Sequence, residues 1–167
     1  MKLTAFTDYS LRVLIYLAAQ PKQRVTIAEI ATAFDISENH LTKVVHFLGK
    51  NGWLANVRGK GGGLELAMPP ELVGVGTVVR QTEGAAVVAE CFSEEGNHCL
   101  ITRVCRLRGV LGEAVEAFHA VLDRYTLADL VQNRQSLARI LFIDRAAPAP
   151  VAKRAASART LSTLELP

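Results

Sequence analysis

The sequence predicts a mainly α protein with a small β-hairpin, in which a winged helix-turn-helix is followed by a long dimerisation helix. Three observations support this fold class. Two short segments with helical apolar spacing are joined by a tight turn between residues 26 and 50. A glycine-rich, basic hairpin pattern follows them directly. Apolar residues then repeat in steps of three and four over residues 104–125, as in helices that pack against other helices.

The first three helices are predicted from apolar periodicity and capping residues. Helix one covers residues 8–19 with Thr7 as its N-cap, and helix two covers 27–34 with Thr26 as its N-cap. Ser37 starts the third helix. Its inner face is predicted to be apolar and buried: Leu41, Val44, Val45 and Leu48. Its outward positions are polar candidates for DNA contacts: Ser37, Glu38, Asn39, His40, Thr42 and Lys43.

A hairpin is predicted immediately after the third helix. Alternating flanks at residues 53–58 and 63–68 enclose a tip rich in glycine and basic residues. The helix-turn-helix and this hairpin together make a winged helix over residues 1–70. In such a domain the third helix enters the major groove of DNA, and a basic wing residue reaches the narrower minor groove. The wing candidates for DNA contacts are Arg58, Gly59 and Lys60.

The rest of the chain divides into a connection, a loop, a helical segment and a tail. Residues 71–90 form a connecting helix and segment, and residues 91–105 form a loop that contains every cysteine. Residues 104–133 hold the long helix and a shorter one after it. Residues 146–167 have biased composition without periodicity, which predicts a disordered tail. A dimer seam is predicted along one stripe of the long helix: Val104, Leu107, Leu111, Ala114, Phe118 and Val121.

Bulk composition limits the function without choosing it. The chain has 167 residues, half of them apolar, with 19 Lys and Arg against 16 Asp and Glu. This mildly basic balance permits nucleic-acid binding but does not require it. No apolar run approaches the ~18 residues of a membrane span, and no secretory signal is visible. We therefore expect a cytoplasmic protein without a membrane partner and, since no nucleophile–base or metalloprotease motif is visible, no enzyme.

The cysteines are the strongest candidates for chemistry. Cys91, Cys99 and Cys105 lie on one short segment, where thiols can bind a metal or cluster that prefers sulfur. A four-coordinate zinc or iron–sulfur site needs one more ligand. His98 would complete a Cys₃His zinc set, although it adjoins Cys99 and the gaps between cysteines are wide. From the residues alone, cluster and zinc are equally supported, and Asp8 is explained as a first-turn acid that complements the helix dipole.

Five stretches resemble the NsrR family of nitric-oxide-sensing repressors, over about residues 1–133. The opening stretch runs from Leu3 to Arg12 and contains Phe6-Thr7-Asp8-Tyr9. The third is the wing, Val57-Arg-Gly-Lys-Gly-Gly-Gly. The remaining stretches cover residues 36–44, 105–114 and 125–131.

The resemblance implies a homodimeric winged-helix transcription factor with one iron–sulfur cluster per subunit. Three loop cysteines bind the cluster in that family, here Cys91, Cys99 and Cys105. An aspartate of the partner subunit can complete a 4Fe–4S cluster, and Asp8 occupies the matching position. We expect 4Fe–4S rather than the 2Fe–2S form described for some members. The related IscR regulators use a histidine three residues after the last cysteine, where this chain has Arg108.

The implied function is repression at a palindromic DNA operator that is released when nitric oxide reacts with the cluster. A carboxylate is a harder and weaker iron ligand than a thiolate, so an aspartate-ligated iron would be the labile corner. Nitrosylation would then release the restraint between subunits and disturb the spacing of the two recognition helices. Two alternatives stay open: a zinc-bound structural or interaction protein, and an iron–sulfur regulator that senses iron or redox state.

Overall fold

The computed structural model describes residues 2–20, 23–84, 88–93 and 96–143. The predicted fold class is confirmed, since these residues are mainly helical with one two-stranded hairpin. Short 3-10 turns lie at Pro70–Leu72 and Glu90–Phe92, and a π-helical turn lies at Arg139–Ile143. The regular elements in chain order are α1 (Ala5–Ala19), α2 (Ile27–Phe34), α3 (Glu38–Lys50), β1 (Leu54–Val57), β2 (Gly63–Leu66), α4 (Val75–Glu83), α5 (Arg106–Leu122), α6 (Leu127–Leu130) and α7 (Arg134–Ala138).

The start of α1 differs from the prediction. The helix begins at Ala5, and its N-cap is Thr4, whose hydroxyl accepts a hydrogen bond from the Thr7 backbone N–H at 3.3 Å. Thr7 is fully buried, and its hydroxyl donates to the Thr82 hydroxyl at 2.9 Å. Both threonines satisfy the general N-cap preference, so the sequence could not choose between them. The contact with α4 explains why Thr7 lies inside the helix.

The helix-turn-helix follows its predicted bounds. Thr26 and Glu29 form a reciprocal capping box at the start of α2. Asp35 ends α2 in a left-handed conformation with φ of 54°. The residues predicted for the inner face of α3 are all buried, and each contributes about 1.5–3 kcal/mol relative to an exposed position: Leu41, Val44, Val45 and Leu48.

The core of the winged helix lies between α1, α2, α3 and the hairpin. Val13 and Leu14 of α1 have no exposed surface, and neither has Ile30 of α2. Leu64 of β2 and Trp53, which precedes β1, belong to the same apolar cluster. This shared core fixes the orientation of α3 relative to the hairpin.

A further segment pairs with the hairpin, and the sequence did not predict this pairing. Strands β1 and β2 pair antiparallel, with Leu54 opposite Leu66 and Val57 opposite Gly63. Val25 pairs with Leu64 through two backbone hydrogen bonds of 3.2 and 2.8 Å. Because Val25 is a single paired residue beside the α2 cap, it has no alternating pattern by which a strand is recognised. The wing is therefore attached to the segment that precedes the helix-turn-helix.

The connecting helix begins at Val75, whereas the sequence predicted a helix from residue 71. Val73 is extended, and its carbonyl accepts a hydrogen bond from the Leu127 N–H at 2.8 Å. The Val75 N–H donates to the Tyr125 carbonyl at 2.9 Å. These long-range bonds keep Val73 and Gly74 out of the helix, so that α4 begins at Val75. They also bring Leu127 of α6 into the core, where it is 2% exposed.

The C-terminal half contains the predicted long helix and the predicted shorter helix α6, followed by two short elements that were not predicted. Helix α5 starts at Arg106, so Val104 precedes it. Helix α7 and the following π-helical turn lie against α1, and Phe142 packs edge-to-face on Tyr16 with ring centroids 4.9 Å apart. The predicted disordered tail lies outside the described residues. Among the described residues, no helix is both long enough and apolar enough to cross a membrane.

Candidate nucleic-acid interface and thiol segment

Helix α3 presents a continuous polar surface. Its buried residues anchor one side, so the opposite side cannot rotate away from solvent. Neighbouring α1 supports this position, because Phe6 packs edge-to-face on Phe47 with centroids 5.2 Å apart and Tyr9 lies 6.3 Å from the His40 ring. The predicted DNA-contacting residues of the helix are all exposed: Ser37, Glu38, Asn39, His40, Thr42 and Lys43.

The wing tip is exposed and built from glycines at positions that exclude side chains. Arg58, Gly59 and Lys60 all face solvent. Gly59 adopts φ of 97°, in the left-handed region that favours glycine. A Cβ on Gly62 would lie 2.3 Å from the Val57 carbonyl oxygen. The tip is therefore narrow and presents the side chains of Arg58 and Lys60 to solvent. This shape suits insertion into a minor groove.

Arg24, which precedes α2, contacts the wing, although the sequence did not single it out. Its Nε donates to a Glu65 carboxylate oxygen at 2.8 Å, and its Nη1 donates to the Gly61 carbonyl at 3.3 Å. The only available signal was an isolated arginine beside a short apolar stretch. Its two contacts are with residues far along the chain, which local sequence patterns do not reveal.

The three cysteines lie at different points of the segment that precedes α5. All are free thiols with partial exposure. Cys91 lies in the Glu90–Phe92 turn, and Cys105 is the N-cap residue of α5. Within the described residues, the structure gathers no group of three or more His, Cys, Asp or Glu side chains that could hold a metal ion. The three cysteines are therefore present on one segment, but the described residues of this single chain do not bring them together as a metal site.

Hydrogen bonds hold the two ends of this segment together. Arg108 in the first turn of α5 donates from Nε to the Cys91 carbonyl at 3.1 Å, and its guanidinium lies 5.6 Å from the Phe92 ring centroid. The Thr102 hydroxyl donates to the Cys99 carbonyl at 2.8 Å. Arg108, three residues after the last cysteine, thus binds the backbone of the first cysteine.

The donor chemistry of the segment fits an iron–sulfur cluster. Thiolates are the ligands that such clusters use, and the N-terminus of α5 places a positive dipole end beside Cys105. Arg103 and Arg106 flank that cysteine and would offset the negative charge of a thiolate site. The backbone N–H of His98 donates to the Glu90 carboxylate, which fixes the position of the residue before Cys99.

Asp8 lies in the first turn of α1, where it pairs with Arg12. The Asp8 carboxylate accepts from Arg12 Nε at 3.0 Å and from Nη2 at 2.8 Å, and 44% of the Asp8 side chain is exposed. In the described residues of one chain, Asp8 is not part of a four-ligand group with the cysteines. Its structural role here is an exposed ion pair between adjacent helical turns.

Helix α5 has no buried residue along its 17 positions. Leu107 is 61% exposed and Val121 is 45% exposed, and Val104 before the helix is 80% exposed. Ala114 is also exposed, whereas Leu111 and Phe118 are half-buried. The six residues predicted for a dimer seam therefore form a largely uncovered apolar surface in the single chain.

The end of α5 is joined to α4 by a charged contact. Arg80 donates to both carboxylate oxygens of Asp123 at 2.5 Å. The hydrogen bond with Asp123 raises the pKa of Arg80, and the same bond lowers the pKa of Asp123. A Cβ on Gly76 would lie 2.0 Å from the Asp123 carboxylate. Glycine at this position is therefore needed for the close approach of α4 to the end of α5.

The end of α4 is joined in turn to the start of α1. Glu83 accepts hydrogen bonds from the Thr4 backbone N–H at 2.8 Å and from the Thr4 hydroxyl at 3.1 Å. Burial raises the pKa of Glu83, but hydrogen bonds from Thr7 and Thr4 outweigh it, and the net pKa is lowered. A chain of polar contacts thus connects the helix that carries Asp8 with α4 and then α5.

Comparisons with known proteins agree with this architecture. Residues 3–133 match the Rrf2 family model, described as "Iron-dependent Transcriptional regulator". The chain is 50% identical over 142 residues to the HTH-type transcriptional regulator NsrR of Bacillus subtilis, covering 84% of this chain and 97% of that protein. It is 49% identical to the NsrR of Halalkalibacterium halodurans, with the same coverage.

A solved structure supports the same assignment. The IscR of T. potens superposes with a TM-score of 0.65 at 25% identity, covering 82% of this chain and 90% of that one. The residues matched by the family model include the winged helix, residues 91–105 with the three cysteines (the thiol segment), and α5. The chain belongs to the Rrf2 family of transcriptional regulators.

Proposed function

We propose that this protein is a cytoplasmic, homodimeric transcriptional repressor that senses nitric oxide through an iron–sulfur cluster held by Cys91, Cys99 and Cys105. One observation carries the proposal. The thiol segment ends at Cys105, the N-cap residue of α5, and α5 is the helix whose apolar surface is largely uncovered. A change at the thiols therefore acts directly on the helix that a second copy would cover. No enzymatic step is part of this function.

DNA binding is proposed for the exposed surface of α3 and the wing. The N-terminal residues of α3 would meet base edges in the major groove, and Arg58 and Lys60 would approach phosphates or the minor groove. A palindromic operator follows from a two-fold dimer, because each half-site takes one copy of α3 about 34–36 Å from the other. The spacing between the two α3 helices is then set by the α5 seam.

The dimer is proposed because the described residues leave the apolar surface of α5 largely uncovered. Each leucine or phenylalanine that becomes fully covered contributes about 1.5–3 kcal/mol. A two-fold interface uses every such residue twice, because the same patch is present on both copies. Leu107, Leu111 and Phe118 are the residues from which we expect the largest contribution.

The fourth ligand is proposed to be the partner subunit's Asp8. In the free chain this carboxylate is paired with Arg12, and both side chains are more than 40% exposed. An exposed ion pair of this kind contributes only about 0–1 kcal/mol. Asp8 can therefore leave Arg12 at small cost when a metal ligand position becomes available. When bound, the cluster supplies iron with which nitric oxide reacts, in the 4Fe–4S form that we expect rather than the 2Fe–2S form.

An iron-sensing regulator is a second candidate, since the family model is described as iron-dependent. It shares the DNA-binding surface, the dimer and the three cysteines, and differs only in the signal. A zinc-bound structural protein is the third, with His98 as the added ligand.

Anaerobic purification followed by iron, acid-labile sulfide and zinc assays separates these functions. We expect equal amounts of iron and sulfide with visible absorbance, and a loss of both in a Cys99→Ala variant. Zinc without sulfide would contradict the cluster. A cluster that forms normally but leaves operator binding unchanged on exposure to nitric oxide would favour the iron-sensing alternative.

A further inference from the structure

We propose that Arg24 is a positioning residue for DNA binding, which fastens the wing to the start of the helix-turn-helix so that Arg58 and Lys60 meet DNA together with α3. The inference rests on the proposed DNA-binding function. One guanidinium joins two parts of the wing, because Nε binds Glu65 on β2 at 2.8 Å and Nη1 binds the Gly61 carbonyl at the tip at 3.3 Å.

The backbone around Arg24 sets the reach of this contact. Val25 pairs with Leu64 through two backbone hydrogen bonds, so the residue before it starts at a fixed distance from β2. A Cβ on Gly63 would lie 3.0 Å from the Val25 carbonyl oxygen and 3.1 Å from the Arg24 Cβ. The two segments are thus in direct contact, and the guanidinium extends along the wing from its base toward its tip.

The wing tip is the part that gains most from such a restraint. Gly59 and Gly61 have positive φ values of 97° and 76°, and neither has a side chain to limit its conformations. Glycine loses more conformational freedom on ordering than any other residue. A donor held at the Gly61 carbonyl therefore restricts the tip directly, one residue from Lys60.

An ion-pair partner distinguishes Arg24 from the two basic residues of the wing, Arg58 and Lys60. Glu65 offsets the charge of Arg24 in an ion pair at 2.8 Å. Among the residues that the structure describes, neither Arg58 nor Lys60 has an ion-pair partner. Arg58 and Lys60 are suited to phosphate contacts, whereas Arg24 is suited to holding the wing.

The test compares Arg24→Gln, Glu65→Gln and the double variant. The probe is a 40-base-pair duplex selected from a randomised DNA pool by the wild-type protein, and affinity is measured over a range of salt concentrations. Each single variant is expected to weaken binding by about threefold, the size typical of an exposed ion pair. The double variant should lose no more than either single variant, and the salt slope should stay unchanged.

Hydrogen exchange without DNA gives an independent readout. In both single variants the Gly62 and Leu64 amides should exchange faster than in the wild type, because the wing opens more often. Unchanged exchange would overturn the proposal. So would a lower salt slope in Arg24→Gln together with unchanged or tighter binding in Glu65→Gln, since that combination identifies a direct phosphate contact.

Two controls separate failure of this inference from failure of the proposed function. Arg134→Gln removes one exposed positive charge on α7 and should leave binding within experimental error. An Arg58→Ala, Lys60→Ala double variant should weaken binding. If it does not, the wing is not a DNA contact and both proposals fail. If it does, while Arg24→Gln and Glu65→Gln bind as the wild type does, only the role of Arg24 is rejected.

Discussion

Helices α3 and α5 both carry an apolar stripe, yet only one of them is covered. Within its 13 residues α3 buries Leu41, Val44, Val45 and Leu48 against the rest of the chain. Over 17 residues α5 buries none, although its sequence is richer in apolar side chains. The apolar face of α3 is thus covered by other parts of the same chain, including Leu127 of α6 in the shared core. The apolar stripe of α5 is left largely uncovered by the described residues, and we propose that a second copy covers it.

The largest effect on folding stability is expected in the winged helix. Leu14 has no exposed surface, and a Leu14→Ala change removes apolar contacts and leaves a cavity. We expect the free energy of unfolding to fall by about 2–5 kcal/mol, measured by denaturant titration. The matched control is Leu72→Ala, at a leucine that is 70% exposed, where the change should be within about 0.5 kcal/mol.

A substitution of a leucine on α5 should instead affect assembly. A Leu107→Glu variant places a charge on the uncovered stripe, where the single chain tolerates it but a second copy would have to desolvate it. We expect a folded monomer by sedimentation and light scattering, with loss of operator binding. Leu72→Glu is the control, since this leucine is similarly exposed but lies outside α5. A stable Leu107→Glu dimer would exclude this stripe as the seam.

Two glycine substitutions, one on α4 and one on α5, are expected to change the free energy of unfolding by an intermediate amount. Gly76→Ala puts a Cβ 2.0 Å from the Asp123 carboxylate, so the Arg80–Asp123 contact must move. We expect a loss of about 1–3 kcal/mol, as for other overpacked sites. Gly109→Ala on α5 meets nothing within 4 Å in the single chain, so helix propensity should stabilise it by up to about 1 kcal/mol. A destabilised Gly109→Ala dimer would instead indicate a close approach of the partner's backbone.

The smallest expected effect is the pH dependence of the contacts that join the two halves. The pKa of Asp123 is lowered, chiefly by the hydrogen bond from Arg80, and the pKa of Glu83 is lowered as well. A lowered folded-state pKa means that this stability is present above the unfolded values of 3.8 and 4.5 and is lost as the pH falls through the folded values. Asp123→Asn and Glu83→Gln should each flatten the acid limb of the stability curve. If the acid limb of both variants were the same as that of the wild type, the lowered pKa values of Asp123 and Glu83 would be contradicted.

The sequence predicted those parts of the fold whose signals are local. The capping box at Thr26 and the inner face of α3 follow from residues within one or two helical turns. The late start of α4 at Val75 could not be predicted, because Val73 is held extended by Leu127 from another part of the chain. The strand pairing of Val25 and the contact of Arg24 with Glu65 were missed for the same reason.

The candidate site, like the fold, could be predicted from the sequence only in part. The polar face of α3 was predicted as a surface, and the structure exposes every residue named for it. The cysteines were identified by their proximity in sequence, but the described chain does not converge them into a metal-binding group. In the proposed function, their arrangement and the role of Asp8 depend on a cofactor and a partner subunit, and the periodicity of one chain carries no information about either.

In the proposed function, the thiol segment controls operator binding through the dimer. We would add nitric oxide stepwise to the anaerobically purified protein on its selected DNA duplex, recording visible absorbance and bound DNA together. The account predicts that both fall in parallel in the wild type. Asp8→Ala should shift the two curves together, and Cys99→Ala should show no response. DNA release without a change in absorbance, or complete loss of absorbance with DNA still bound, would contradict the account.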